Sequence, residues 1–191
     1  NNLLLVAFNN LLLRLLMPVV AISMASLSVQ NNWGFFNKIS VNAWIALGLS
    51  FLLLDLVIYA QHRLMHKYNW LWLLHRVHHS DTEFDASTGL RFHPLEIILS
   101  MCIKLLAVLF IGPPIFAVVL FELVLNATSL FNHGNIYIPV KLDRYLRYLR
   151  MTPDMHRAPH SAMIEETNSN FGFNISWWDR LFSSYRSQPQ L

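Results

Sequence analysis

The stretch that decides the fold is AWIALGLSFLLLDLVIYA (Ala43–Ala60), which runs without a break into QHRLMHKYNWLWLLHRVHHS (Gln61–Ser80). Crossing the hydrocarbon core as a helix takes about 20 mostly apolar residues, and the first half comes close to that. The second half carries His62 and His66 at i, i+4, then His75, His78 and His79 at i, i+3, i+4. On a helix these spacings put imidazoles on one face a turn apart, where they can converge on one ion. Imidazole suits iron, zinc, copper and nickel rather than calcium or magnesium. Five histidines in one segment exceed what a single tetrahedral site needs, so two metals sharing ligands from several segments is the economical reading. Interfacial anchoring beside Trp70 and Trp72 would require neither spacing.

Three further apolar stretches flank this one. Leu3–Val29 is interrupted by Asn9, Asn10 and Arg14, which must meet an interface or other helices because unpaired polar groups in lipid are costly. Leu95–Ile111 and Pro114–Phe131 are separated by Gly112-Pro113-Pro114, a tripeptide that cannot continue a helix and predicts the tight bend of a hairpin. Of the 191 residues, 54% are apolar and 13% charged, against about 25% charged in soluble domains. That balance excludes a disordered or nucleic-acid-wrapping chain, and a net charge of +3 gives no ground for a polyanion partner. The single Cys102 excludes an intrachain disulfide framework. The chain begins on Asn1 rather than Met and is expected to be part of a longer one, so any upstream targeting segment is left unread.

Basic residues orient these segments. Only Lys38 lies in the loop Gln30–Asn42, whereas Arg63, Lys67, Arg76 and Arg91 follow the second apolar stretch and seven more follow Phe131. The positive-inside rule puts the last two regions in the cytoplasm. The expected fold is all-α and integral to the membrane, with about four transmembrane or hairpin helices and a cytoplasmic helical cap carrying the histidines. We read one domain over 1–191: membrane helices in 1–60, a first histidine-rich region in 61–94, a helical hairpin in 95–131 and a C-terminal cap in 132–191.

The C-terminal half holds more histidines. FNHGN (Phe131–Asn135) sets His133 at the end of the fourth apolar stretch, and TPDMHRAPHS (Thr152–Ser161) carries His156 and His160, again i, i+4. Thr152 suits an N-cap, Pro153 the first helical position and Asp154 the first turn, so a helix is predicted to start there. HRAPHS (His156–Ser161) echoes HRVHHS (His75–Ser80), with Pro159 where the first copy has His78.

The HX3H and HXXHH boxes and the later HXXHH-like box, with GLRFHPLE (Gly89–Glu96), FNHGN and NFGFNISWWDRLFSSY (Asn170–Tyr185), resemble the fatty acid hydroxylase/sterol desaturase superfamily of integral-membrane di-iron oxidoreductases. The resemblance covers about Asp55 to Tyr185. It implies two iron ions, with zinc as the alternative ion in isolated protein, and molecular oxygen as co-substrate. It implies hydroxylation or desaturation of a lipid-like substrate such as a sterol, fatty acyl chain, alkyl ether or carotenoid. The implied ligands are His62, His66, His75, His78, His79, His133, His156 and His160. A separate electron-donor protein is expected, since no electron-carrier domain is recognised. The superfamily has His where this chain has Pro159, so one nitrogen donor is lost and the helix is expected to kink or end there. A non-catalytic lipid- or metal-binding relative with a decayed third box is the alternative. A zinc hydrolase is disfavoured, because HEXXH is absent and the histidines are too many for one catalytic zinc. Replacing Pro159 with His is expected to raise metal occupancy if that position is short of a ligand; unchanged occupancy would speak against it.

Ligating histidines usually donate their other ring N–H to a carboxylate or carbonyl. Candidates for that orienting role are Asp55, Asp154 and Asp179, with Asp81, Glu83 and Asp85 in the loop after the second box. Asp55 is two turns from His62 and would have to serve a histidine of another segment. His93, held extended by Pro94, either supports the site or its substrate mouth or caps the helix that follows. Trp177, Trp178 and Phe182 read as interfacial aromatics or as packing against the histidine cap.

Overall fold

The computed structural model describes residues 2–17, 20–81, 84–160 and 167–187, with the side chain of His160 outside that description. Every element among them is helical. Helix α1 (Asn2–Leu16) and α2 (Ala21–Gln30) replace the single N-terminal segment expected over Leu3–Val29. Met17 precedes a proline in the sequence, and a residue before proline is steered away from helical torsions. The short α3 (Phe35–Lys38) follows, then α4 (Ala43–Lys67), α5 (Asn69–His79), α6 (Pro94–Ile111) and α7 (Ile115–Asn132). Among the described residues, three short helices belong to the cap: α8 (Val140–Leu146), α9 (Pro153–Arg157) and α10 (Trp177–Leu181).

Four helical stretches are long and apolar enough to cross a membrane: 2–38, broken between α1 and α2, and the helices α4, α6 and α7. The protein is an integral membrane protein. Phe110, Phe116 and Leu123 are each more than 60% exposed, so the bundle turns large apolar side chains outward, as a lipid-facing surface does. Inside, Leu54, Val108, Val118 and Phe121 pack with Ala21 and Ala25. The two alanines let α2 lie close against its neighbours, as small residues do between membrane helices.

Two ends of the bundle are built differently. At one end Gly112 caps α6 in the left-handed region (φ 63°), and Pro114 opens α7. Gly34 (φ 85°) meets it backbone to backbone, and a Cβ on Gly34 would lie 2.4 Å from the Gly112 nitrogen. The hairpin bend read from Gly112-Pro113-Pro114 is therefore present, and α3 closes over it. At the other end α4 finishes, α6 starts and α7 finishes, so all three present their histidine-proximal ends to the cap. Helix α4 does not stop at the Ala60 boundary of the sequence reading but continues to Lys67. His62 and His66 thus ride on its last turns.

Helix α9 starts at Pro153 as expected. Thr152 takes the extended N-cap conformation, but its side chain makes no cap bond. The α-helix ends at Arg157, and buried Pro159 falls in the 3₁₀ turn Ala158–His160. A residue without an N–H cannot extend the α-helical ladder.

Candidate metal centre

Seven of the eight histidines proposed as ligands fall into two groups. His62 and His66 of α4 meet His75 and His79 of α5; His78 of α5 meets His133, the C-cap of α7, and His156 of α9. Within each group one ligand atom per residue lies within 4.8 Å of the others. The groups adjoin through α5, where the His75 and His78 rings are 5.3 Å apart. For the eighth, His160, the side chain lies outside the described residues.

Nε2 atoms approach one another to 3.2 Å for His62 and His66, and to 3.1 Å for both His78–His133 and His133–His156. Ligands at metal–nitrogen distances of about 2.0–2.1 Å lie roughly 3 Å apart around one ion, so this spacing suits a shared metal. The opposite ring nitrogens are fixed. Nδ1–H of His62 donates to the Phe171 carbonyl at 2.8 Å, that of His133 to the Ser129 carbonyl at 2.8 Å, and that of His75 to Glu96 Oε1 at 2.6 Å. Each acceptor leaves the Nε2 lone pair facing its group. His75 Nε2 is buried and has no hydrogen-bond partner, which is the state of a nitrogen shaped for a metal ion. Burial pushes the His133 imidazole down to about 4, with the nearby His75 acting in the same direction. It is held neutral, as a ligand must be. The donor set fits imidazole-binding metals such as iron or zinc.

Glu96 was missed as an orienting group in the sequence. It sits in the first turn of α6, 3% exposed, and a carboxylate opening an apolar span is the signal that could have identified it. The residues proposed for that role go elsewhere. Asp55 accepts from Asn174 Nδ2 and Trp178 Nε1, each at 2.8 Å, and so ties the cap to α4. His93 caps α6 by accepting from the Leu95 amide. Asp154 pairs with Arg157 at 3.0 Å. Asp81 accepts from Thr88 and Asn2, and Asp85 from the Ser87 amide in an exposed turn. Glu83 lies outside the described residues.

Asp179 acts at one remove. Its carboxylate accepts the amides of Phe171 and Gly172 at 2.7 and 2.8 Å and the Ser184 hydroxyl at 2.7 Å. That fixes the loop whose Phe171 carbonyl takes His62. Burial raises the Asp179 carboxyl above its ordinary range, against the hydrogen bonds that lower it. Phe171 and Phe173 cover His62, their ring centroids each 5.7 Å from it. Trp178 belongs to the cap through Asp55, Phe182 stacks on Tyr59, and Trp177 is half-exposed with its Nε1 bonded to the Tyr148 carbonyl.

The family model for fatty acid hydroxylase matches residues 47–184. The chain belongs to the fatty acid hydroxylase family. It is 27% identical over 149 residues to ornithine lipid hydroxylase OlsE of Rhizobium tropici, covering 76% of this chain and 43% of that one. It is 27% identical over 167 residues to the alkylglycerol monooxygenase of Homo sapiens, covering 85% of this chain and 35% of the relative. The Danio rerio alkylglycerol monooxygenase is 30% identical over 175 residues, covering 90% and 37%. The chain thus spans less than half the length of these relatives. No solved structure matches it.

Proposed function

We propose that this chain is the metal-binding part of an oxygen-dependent oxidoreductase that hydroxylates a membrane lipid. The observation that carries this reading is the convergence of histidines from α4, α5, α7 and α9 into two adjoining groups of four and three. His62, His66, His75 and His79 would hold one ion and His78, His133 and His156 a second, with His160 completing the proposed set. Two iron ions, if held there, would supply the oxygen activation needed to attack an unactivated C–H bond. The chain's own part is to aim the Nε2 atoms through the Glu96, Phe171 and Ser129 acceptors, to shield His62 with Phe171 and Phe173, and to admit substrate from between the spanning helices. No side-chain nucleophile is required. The relatives named above, a lipid hydroxylase and monooxygenases, support hydroxylation over desaturation. The buried, neutral His133 and the adjoining three-histidine group support a working site over the decayed alternative, despite Pro159. The basic residues after the second and fourth apolar stretches support a cytoplasmic histidine cap, reached by a separate electron-donor protein.

The test is metal and product analysis of protein purified anaerobically from iron-replete cells. Two irons per chain, with a lipid gaining one oxygen atom only when oxygen and reductant are supplied, is the expected result. One metal or none, with no oxygen-dependent change between the lipid profiles of cells with and without the gene, overturns it.

A further inference from the structure

A cavity of about 380 Å³ opens between α1, α4, α6 and α7 and reaches His62, His75 and Glu96. Its wall is not simply apolar. On α6, Glu96, Ser100 and Lys104 recur every fourth residue and all face the cavity, a polar stripe on one face of an otherwise apolar span. Each is met from another helix: Glu96 by His75, Ser100 by Gln61 Nε2 at 2.6 Å, and Lys104 by Glu122 at 2.7 Å. Across from the stripe, Asn9 of α1 lines the same cavity, 2% exposed, its Nδ2 donating to the Phe92 carbonyl. The carboxamide oxygens of Asn9 and Gln61 are both buried without a hydrogen-bond partner. Ionisable and polar groups inside a membrane span are costly and mark a pathway or binding site.

We propose that this cavity is the substrate chamber and that its occupant is an amphiphile whose hydroxyl or amide groups enter the chamber with it. The proposal rests on the lipid-oxidation reading and narrows its substrate class. The Asn9 and Gln61 oxygens accept only, so they select O–H or N–H donors. The Lys104 ammonium is ion-paired with Glu122 and, with three N–H donors, can also face ligand oxygen. A bare hydrocarbon would leave the two carboxamide oxygens desolvated and unanswered. Ser100 and Lys104 stand about 6 and 12 Å along the helix axis from Glu96, the partner of His75. The carbon presented to the histidines therefore lies one or two helical turns from the polar group, which excludes attack at the far end of a long acyl chain.

The test uses the holoprotein without oxygen and two C16 probes carrying the same mid-chain diazirine, one ending in a 1,2-diol and the other in a methyl group. Photolabelled peptides are mapped by mass spectrometry. The expected result is labelling of chamber-lining peptides of α4 and α6 by the diol probe at least about tenfold above the alkane. Gln61→Met should lower diol labelling about tenfold, the worth of one hydrogen bond to a buried acceptor. The milder Ser100→Ala, which frees Gln61, serves if Gln61→Met does not fold. Equal labelling by both probes in the unmodified protein overturns the proposal without any variant, as does unchanged labelling in the folded variants. Labelling needs no turnover, so selective labelling without oxygen-dependent product would refute the oxidase reading alone. Product formation without selectivity would refute the chamber alone.

Discussion

Glu96 carries the sharpest expectation at the scale of single residues. Its Oε1 accepts the hydrogen bond from His75 Nδ1–H in a pair where both side chains are 4% exposed. An orienting partner of a ligating histidine is worth about 10–100-fold in metal affinity. Glu96→Gln is therefore expected to lower metal affinity by that factor, read by competition with a chelator, while the helical circular dichroism is retained. An unaltered affinity would mean the pair is structural only. The residues read from the sequence and the one that was missed differ for a physical reason. Imidazole spacing of four is periodic and local, so His62, His66 and His156 could be read from it. The His75–Glu96 pair joins residues 21 apart, and nothing in the chain's periodicity links them. Asp55 shows the converse. A carboxylate in an apolar run demands a partner, but the sequence could not say that the partners would be Asn174 and Trp178.

At the scale of elements, the 3₁₀ turn Thr88–Leu90 and the loop 170–174 do what the helices alone could not. Gly89 lies against His133, and a Cβ there would stand 2.8 Å from His133 Nδ1 and 3.0 Å from the Ser129 carbonyl. Gly89→Ala is expected to push His133 off its acceptor and reduce bound metal from two ions towards one, measured by elemental analysis. Two ions retained would show that the ring has room to move. Asp179 organises the other loop. An asparagine at 179 turns one acceptor into an N–H₂ donor facing a backbone amide, and the expected cost is about 1–3 kcal/mol. The thermal midpoint of Asp179→Asn measures it, and an unchanged midpoint would remove Asp179 from the account. GLRFHPLE and NFGFN were legible as family-like strings; their work, backing His133 and accepting from His62, is tertiary.

Taken as a whole, the described residues form four helical stretches long and apolar enough to cross a membrane, with the two histidine groups at one end. Reporter fusions check the orientation: green fluorescent protein joined after Leu191 is expected to fluoresce, and alkaline phosphatase inserted at Asn32 to be active. The reverse pattern would move the histidines to the other face of the membrane. The sequence alone determined that the chain is helical and membrane-embedded, since runs of apolar residues in lipid have to satisfy their backbone groups within the segment. It also determined where the hairpin turns, because Gly112-Pro113-Pro114 permits nothing else, and which side chains offer nitrogen. Only the tertiary structure decided how those nitrogens divide, His75 and His79 to one group and His78 to the other, though all three stand on α5. Neighbours on one helix point about 100° apart, so the sorting is made by whichever helix faces each direction: α4 on one side, α7 and α9 on the other.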